Sequence, residues 1–176
     1  MLTVGQPAPA FTRQPVFGLP AQVPCGRPTA VLFVRSLSNP WTRESLAQVQ
    51  AEFPRFDLAG ARVIAVTDSG LDVGRDFVPR YHVLFPVVCD PDQALFKDWS
   101  VGGDGAVLGT VRALALGHVR AAARALRHGH GPLERRQLKL PASFVVSPDG
   151  TLSFVHYARA VTEPPPLEAM LDACSA

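Results

Sequence analysis

The chain has 176 residues, 47% of them hydrophobic and 18% charged, with a formal net charge of +2. This length supports a full hydrophobic core in one domain spanning 1–176, and so small a charge selects no class of partner by itself. No apolar stretch approaches the roughly 18 to 20 residues of a membrane-spanning helix, and the N-terminus lacks the basic and apolar regions of a secretory signal.

Residues 1–28 are rich in Pro and Gly and read as an extended lead-in with one short hairpin. Residues 29–35 are a continuous apolar run with β-branched members, which predicts a buried strand. A helix follows, with Ser38 or Asn39 as N-cap and Pro40 in the first helical position, and Pro54 is expected to close it. Arg62 to Thr67 is a second buried strand, 71–81 a helix, and Phe85 to Cys89 a shorter third strand. Asp90, Pro91 and Asp92 cap a short helix ending near Trp99, and a loop at 102–105 leads into the longest helical candidate, 106–128. Phe144–Val146 and Leu152–His156 flank the turn Ser147-Pro148-Asp149-Gly150 and predict a hairpin, followed by a closing helix over 165–174. Strands alternating with helices, then a hairpin and a helix, indicate an α/β sheet covered on both faces.

The turn between the first buried strand and its helix reads Ser38-Asn39-Pro40-Trp41-Thr42-Arg43. A strand, a short polar turn and a helix opening at proline form the frame that holds a thiolate at a helix N-terminus, where free N–H groups and the macrodipole stabilise negative charge. Asn39 and Thr42 stand at the spacing of a C-x-x-C pair, and neither forms a disulfide or a thiolate. The frame is there without its reagent.

Four segments carry a family resemblance. They are Val4-Gly5-Gln6-Pro7-Ala8-Pro9-Ala10-Phe11, the run Phe33 to Arg43, Phe85 to Asp92 closing in Asp-Pro-Asp, and Leu140 to Gly150. In this order and spacing the chain resembles the thioredoxin-like superfamily, and more narrowly the peroxiredoxin-like AhpC/TSA group, whose active turn is written R-S-L-x-C-P-x-C-R. The resemblance implies a three-layer α/β/α sandwich with a helical insertion before the C-terminal hairpin. It also implies a thiol-based antioxidant activity, and here the chain departs from the pattern. Asn39 and Thr42 replace both cysteines; aligned on P-x-x-x-T-x-x-C instead, Thr42 takes the peroxidatic position, Asn39 that of the threonine and Arg35 that of the proline. The arginine that would polarise a peroxide falls near Pro141. A threonine hydroxyl has no useful nucleophilicity toward an O–O bond. The superfamily also makes Pro141 a candidate cis-proline facing the turn, with a trans proline at a strand start as the alternative.

Two main readings follow. In the first, the chain is a redox-degenerate, non-catalytic member that binds a protein partner or small anion through Arg35, Ser38, Asn39, Trp41, Thr42 and Arg43, opposed by Pro141. The bland counterpart has Asn39 or Ser38 only capping the helix, with Arg35 and Arg43 facing water. In the second, it remains a peroxidase-type oxidoreductase that uses Cys89 or Cys25, with a homodimer as an open arrangement. Cys89 also reads as a small buried hydrophobe, and Cys174 as an idle thiol or an intermolecular pair. A third reading makes the basic segment 112–139 a contact for an anionic surface or nucleic acid, against which stands its lack of interleaved aromatic residues. His128 and His130 have no ligating company, so no metal and no cofactor is expected. Three widely spaced cysteines, an odd number, argue against a disulfide framework and lead to a cytoplasmic expectation.

Overall fold

A computed structural model describes residues 1–102 and 139–175. The long helical candidate at 106–128, His128, His130 and all of the basic segment except Lys139 lie outside the described residues. The elements are β1 (Phe11–Arg13), β2 (Ala21–Val23), β3 (Thr29–Val34), α1 (Pro40–Leu58), β4 (Arg62–Thr67), α2 (Leu71–Arg80), β5 (Val87–Cys89), α3 (Ala94–Asp98), β6 (Ala142–Val146), β7 (Leu152–Tyr157) and α4 (Leu167–Ser175). β1 and β2 form the expected lead-in hairpin, and the other five strands make one sheet in the order β5-β4-β3-β6-β7.

β3 is central, parallel to β4 and antiparallel to β6. Its six residues are all buried, because both sheet faces are covered. Ala30, Leu32 and Val34 face a core built with Leu46 and Val49 of α1, Phe77 of α2 and Met170 of α4. Val31 and Phe33 face a second core with Phe96, Trp99 and Phe144. Phe33 meets Phe96, Trp99 and Phe144 at ring-centroid distances of 5.1, 5.4 and 5.8 Å. The period-2 alternation of a strand thus splits one apolar run between two cores.

Helix α1 runs through Pro54, where the sequence predicts a stop. Pro54 is exposed and Phe56 fully buried, so the ring stays in solvent while the next turn anchors the helix in the core. Burial of one such aromatic contributes about 1.5–3 kcal/mol, comparable to the cost of an interior proline. The parallel pairings β3/β4 and β4/β5 bring the C-terminal ends of these strands to one edge, with Val34 opposite Thr67 and Thr67 opposite Cys89. β6 enters from that same edge, because Ala142 pairs with Phe33.

Candidate functional site

The turn Arg35–Arg43 lies at this edge, and the chain fastens it with hydroxyls. Thr67 Oγ1 donates to the Arg35 carbonyl at 2.9 Å, and Ser69 Oγ accepts the Leu37 N–H at 2.8 Å. Ser69 in turn donates its N–H to Thr67 Oγ1 at 3.3 Å, which links the end of β4 to both contacts. Within the turn the Ser36 carbonyl accepts the Asn39 N–H at 2.9 Å and the Ser36 hydroxyl accepts the Ser38 N–H at 3.1 Å.

Asn39, not Ser38, is the N-cap of α1. Its Oδ1 accepts the Trp41 N–H at 2.9 Å and its carbonyl accepts the first helical bond, from Arg43, at 3.1 Å. Ser38 is buried, and its hydroxyl has no hydrogen-bond partner among the described residues. Thr42 is 5% exposed, in the first turn of α1. Trp41 is half-buried, with its indole nitrogen enclosed.

Arg43 is not simply a side chain in water, as the bland reading has it. Its Nε donates to the Leu37 carbonyl at 2.7 Å and its Nη1 to the Tyr81 hydroxyl at 3.0 Å. The guanidinium also lies over the Tyr81 and Phe77 rings, 5.3 and 5.8 Å from their centroids. A planar cation that donates at its edge and stacks on its face is the behaviour expected of Arg and denied to Lys. Arg43 therefore clamps the turn to α2.

Pro141 does reach the turn, since it precedes Ala142, the partner of Phe33. The cis peptide bond among the described residues is Val23–Pro24, so Leu140–Pro141 is trans. The Pro141 carbonyl accepts the Ala158 N–H at 3.0 Å and is held by the sheet's own hydrogen bonding.

The three thiols occupy three different environments. Cys25 Sγ lies 3.4 Å from the hydroxyl of Thr29, the first residue of β3. The turn begins at the other end of that strand, roughly 17 Å away, so Cys25 cannot serve it. Partial burial opposes ionisation of Cys25, but hydrogen bonds from Thr29 and Arg62, a main-chain contact at Arg27 and the Arg62 charge outweigh it, and the thiol sits below its ordinary pKa. Cys89 ends β5 on the same edge as the turn, two strands from β3 and hence about 10 Å aside. Its sulfur packs where a Cβ on Gly74 of α2 would lie 2.7 Å from it, so Gly74 is what permits α2 to approach β5. Cys174 is buried in α4, and burial pushes its thiol up to about 11. A sulfur so enclosed forms no bridge between molecules without unfolding its helix. Among the described residues no group of three or more His, Cys, Asp or Glu side chains could hold a metal.

Beside the turn a cleft of about 240 Å³ opens between Trp41, Glu44, Ser45 and Gln48 of α1 and the segment Val161, Thr162 and Pro164. Glu163 holds this second wall: its carboxylate accepts the Arg159 N–H at 2.7 Å and lies 2.9 Å from His156 Nε2 on β7. The sequence reading missed this wall. Its available signal was the run Glu163-Pro164-Pro165-Pro166, a stiff segment leading from β7 into α4.

Comparison with known proteins agrees with this architecture. The model of the AhpC/TSA family matches residues 4–155. A curated relative, the chloroplastic peroxiredoxin Q of Sedum lineare, is 24% identical over 105 residues, covering 58% of this chain and 56% of that protein. The chain thus spans about half the length of the curated relative it matches. A peroxiredoxin-like protein from Aquifex aeolicus superposes with a TM-score of 0.70 at 14% identity, covering 98% of this chain and 86% of that one. Peroxidoxin BcpB from Mycobacterium tuberculosis gives 0.67 at 12% identity, with 99% and 97% covered. These structures share the thioredoxin-like α/β fold. With a family match running from the lead-in into β7, the chain belongs to the AhpC/TSA family.

Proposed function

We propose that this chain is a non-peroxidatic member of its family whose turn face binds a partner. One observation carries the reading: the turn that would hold a reactive sulfur contains none, and side-chain hydroxyls with Arg43 fix it as a rigid surface. The open feature beside it is the cleft of Trp41, Glu44 and Gln48 against Val161 and Pro164, which mixes apolar and polar side chains in its lining. Such a mix suits an extended polypeptide, with Trp41 as a stiff aromatic anchor. Arg35 and Asn39 are half-buried in the adjoining turn, where Ser38 and Thr42 are buried, and the N-terminus of α1 adds affinity for an acidic group on the partner or for a small anion. The test is peroxide consumption under thiol reductant, run beside a peptide array. Equal background rates for the wild type and a variant lacking all three cysteines are expected, as is peptide retention lost on Trp41→Ala. Cysteine-dependent turnover would overturn the reading.

A second reading rests on Cys25. A half-buried thiol with Thr29 and Arg62 about it has the polar, cationic surroundings that favour a thiolate, and it would serve a thiol-dependent activity away from the turn. Turnover surviving in Cys89→Ser and Cys174→Ser but lost in Cys25→Ser would select it.

A further inference from the structure

The cleft beside the turn holds one charged side chain among its described lining residues, Glu44. Glu44 is half-buried on α1, roughly one and a half turns along the helix from the N-cap Asn39. Its Oε1 accepts a hydrogen bond from Gln48 Nε2 at 3.1 Å, one turn further on, which steadies the carboxylate at the cleft. The acid of the opposite wall, Glu163, is engaged by His156 and the Arg159 N–H and does not line the cleft.

The surface around the Glu44 carboxylate is mixed. Trp41 lines the cleft with its indole nitrogen enclosed, so the ring presents carbon. Val161 and Pro164 close the far side, and the hydroxyls of Ser45 and Thr162 add acceptors. The volume, about 240 Å³, falls below the roughly 300–1,000 Å³ of small-molecule pockets and suits one side chain better than a whole small ligand.

A half-buried carboxylate between apolar surfaces discriminates by charge. Covering it with an apolar side chain takes water from an ion and returns no bond, and an acidic side chain adds repulsion. A guanidinium answers each feature. Its flat face stacks on an aromatic ring, its edge pairs with a carboxylate through two hydrogen bonds, and its remaining donors suit hydroxyl acceptors. Its stem lies along apolar surface of the kind Val161 and Pro164 supply. We propose that the cleft selects the partner at this face: an extended segment that places an arginine side chain against Glu44 and Trp41. The proposal rests on the reading of the turn face as a partner-binding surface and adds the chemistry of the partner. An acidic group at the start of α1 and an arginine in the cleft are separate points of contact, so one segment can use both.

The test uses the whole chain and short blocked, fluorescent peptides that differ only in a central arginine, citrulline or glutamate, with binding read by anisotropy. Citrulline keeps the shape and stem of arginine without its charge. The arginine peptide is expected to bind roughly tenfold more tightly than the citrulline peptide, by a margin that narrows as salt rises, and the glutamate peptide most weakly. In Glu44→Gln the arginine and citrulline peptides should bind alike, and in Glu44→Lys the order should turn in favour of glutamate. Equal binding of all three peptides, or an arginine preference that survives in Glu44→Gln, would overturn the proposal; binding that Trp41→Ala still abolishes would leave the reading of the face standing. Binding of none of them would overturn both. Self-association that rises with protein concentration and is lost in Glu44→Gln would assign the cleft to a second copy of the chain, and would overturn the proposal too.

Discussion

The two ends of β3 treat polar chemistry in opposite ways. At its C-terminal end the turn contains no sulfur, and several polar side chains around it are spent on structure. Thr67 and Ser69 bond the backbone of the turn, Asn39 caps α1, and Arg43 ties Leu37 to Tyr81. At its N-terminal end Cys25 lies beside Thr29 and Arg62 with its thiol drawn toward ionisation. A frame that favours a thiolate therefore stands empty of sulfur at one edge, while a sulfur with favourable surroundings sits at the other without a helix N-terminus. Position in a fold and chemical competence are separable, and here they have been separated along a single strand.

The contrast is broken most completely by restoring the missing sulfur. Asn39→Cys with Thr42→Cys places two thiols at the N-cap and in the first turn of α1, and the pair is expected to form a disulfide. Mass spectrometry after mild oxidation should show the loss of two hydrogens in the peptide joining these positions, reversed by reductant. The change from no redox response to a complete one is all-or-none. A pair that stays reduced would mean the turn geometry differs from that described. The N-cap loss costs about 1 kcal/mol, small enough for the fold to tolerate.

Next in size is the clamp. Arg43→Ala removes two charge-assisted hydrogen bonds and the stacking on Phe77 and Tyr81 together. A loss of about 2–4 kcal/mol is expected in urea unfolding, because the Leu37 carbonyl is left without that donor in a buried turn. Arg43→Lys should recover only part of it, since an ammonium cannot donate in two directions and stack at once. Full rescue by lysine would show that charge alone matters there.

Much of this architecture is legible from local pattern. The apolar run 29–35 announced a strand buried on both faces, and Asn39-Pro40 announced the start of α1, because caps and two-sided burial act through adjacent residues. The family's motifs added the order of the elements. The helix end was misread at Pro54, since the pull of Phe56 into the core is a tertiary effect that a helix-breaking residue does not advertise. The role of Arg43 was also hidden. Its partner Tyr81 lies 38 positions away, and only the packing of α2 on the sheet brings them together. The stiff run Glu163-Pro164-Pro165-Pro166 was a signal for the cleft wall, but its seat against α1 is set by packing between distant segments.

The finest effect sharpens the other end of the strand. Arg62 contributes a hydrogen bond and a charge to Cys25, against the opposing effect of burial. In Arg62→Gln the charge is gone and the amide still donates, so the thiol should titrate at higher pH and alkylate a few-fold more slowly at neutral pH. Cys174 supplies the contrast, being enclosed and pushed up to about 11, and its alkylation should be undetectable until the protein unfolds. The sign for stability follows from proton counting. A thiol whose folded-state pKa lies below its unfolded one holds fewer protons when folded between those two values, so the folded form gains stability as pH rises through that interval. That gain is kept above the unfolded value and lost as pH falls through the folded one. Cys174 acts in reverse: the unfolded chain releases its proton first, and stability drains as pH climbs from the ordinary thiol range toward 11. Alkaline unfolding of Cys174→Ala should therefore show a shallower decline than the wild type. Arg62→Gln should instead lose part of the gain that Cys25 contributes, and a variant with both changes separates the two thiols by slope alone.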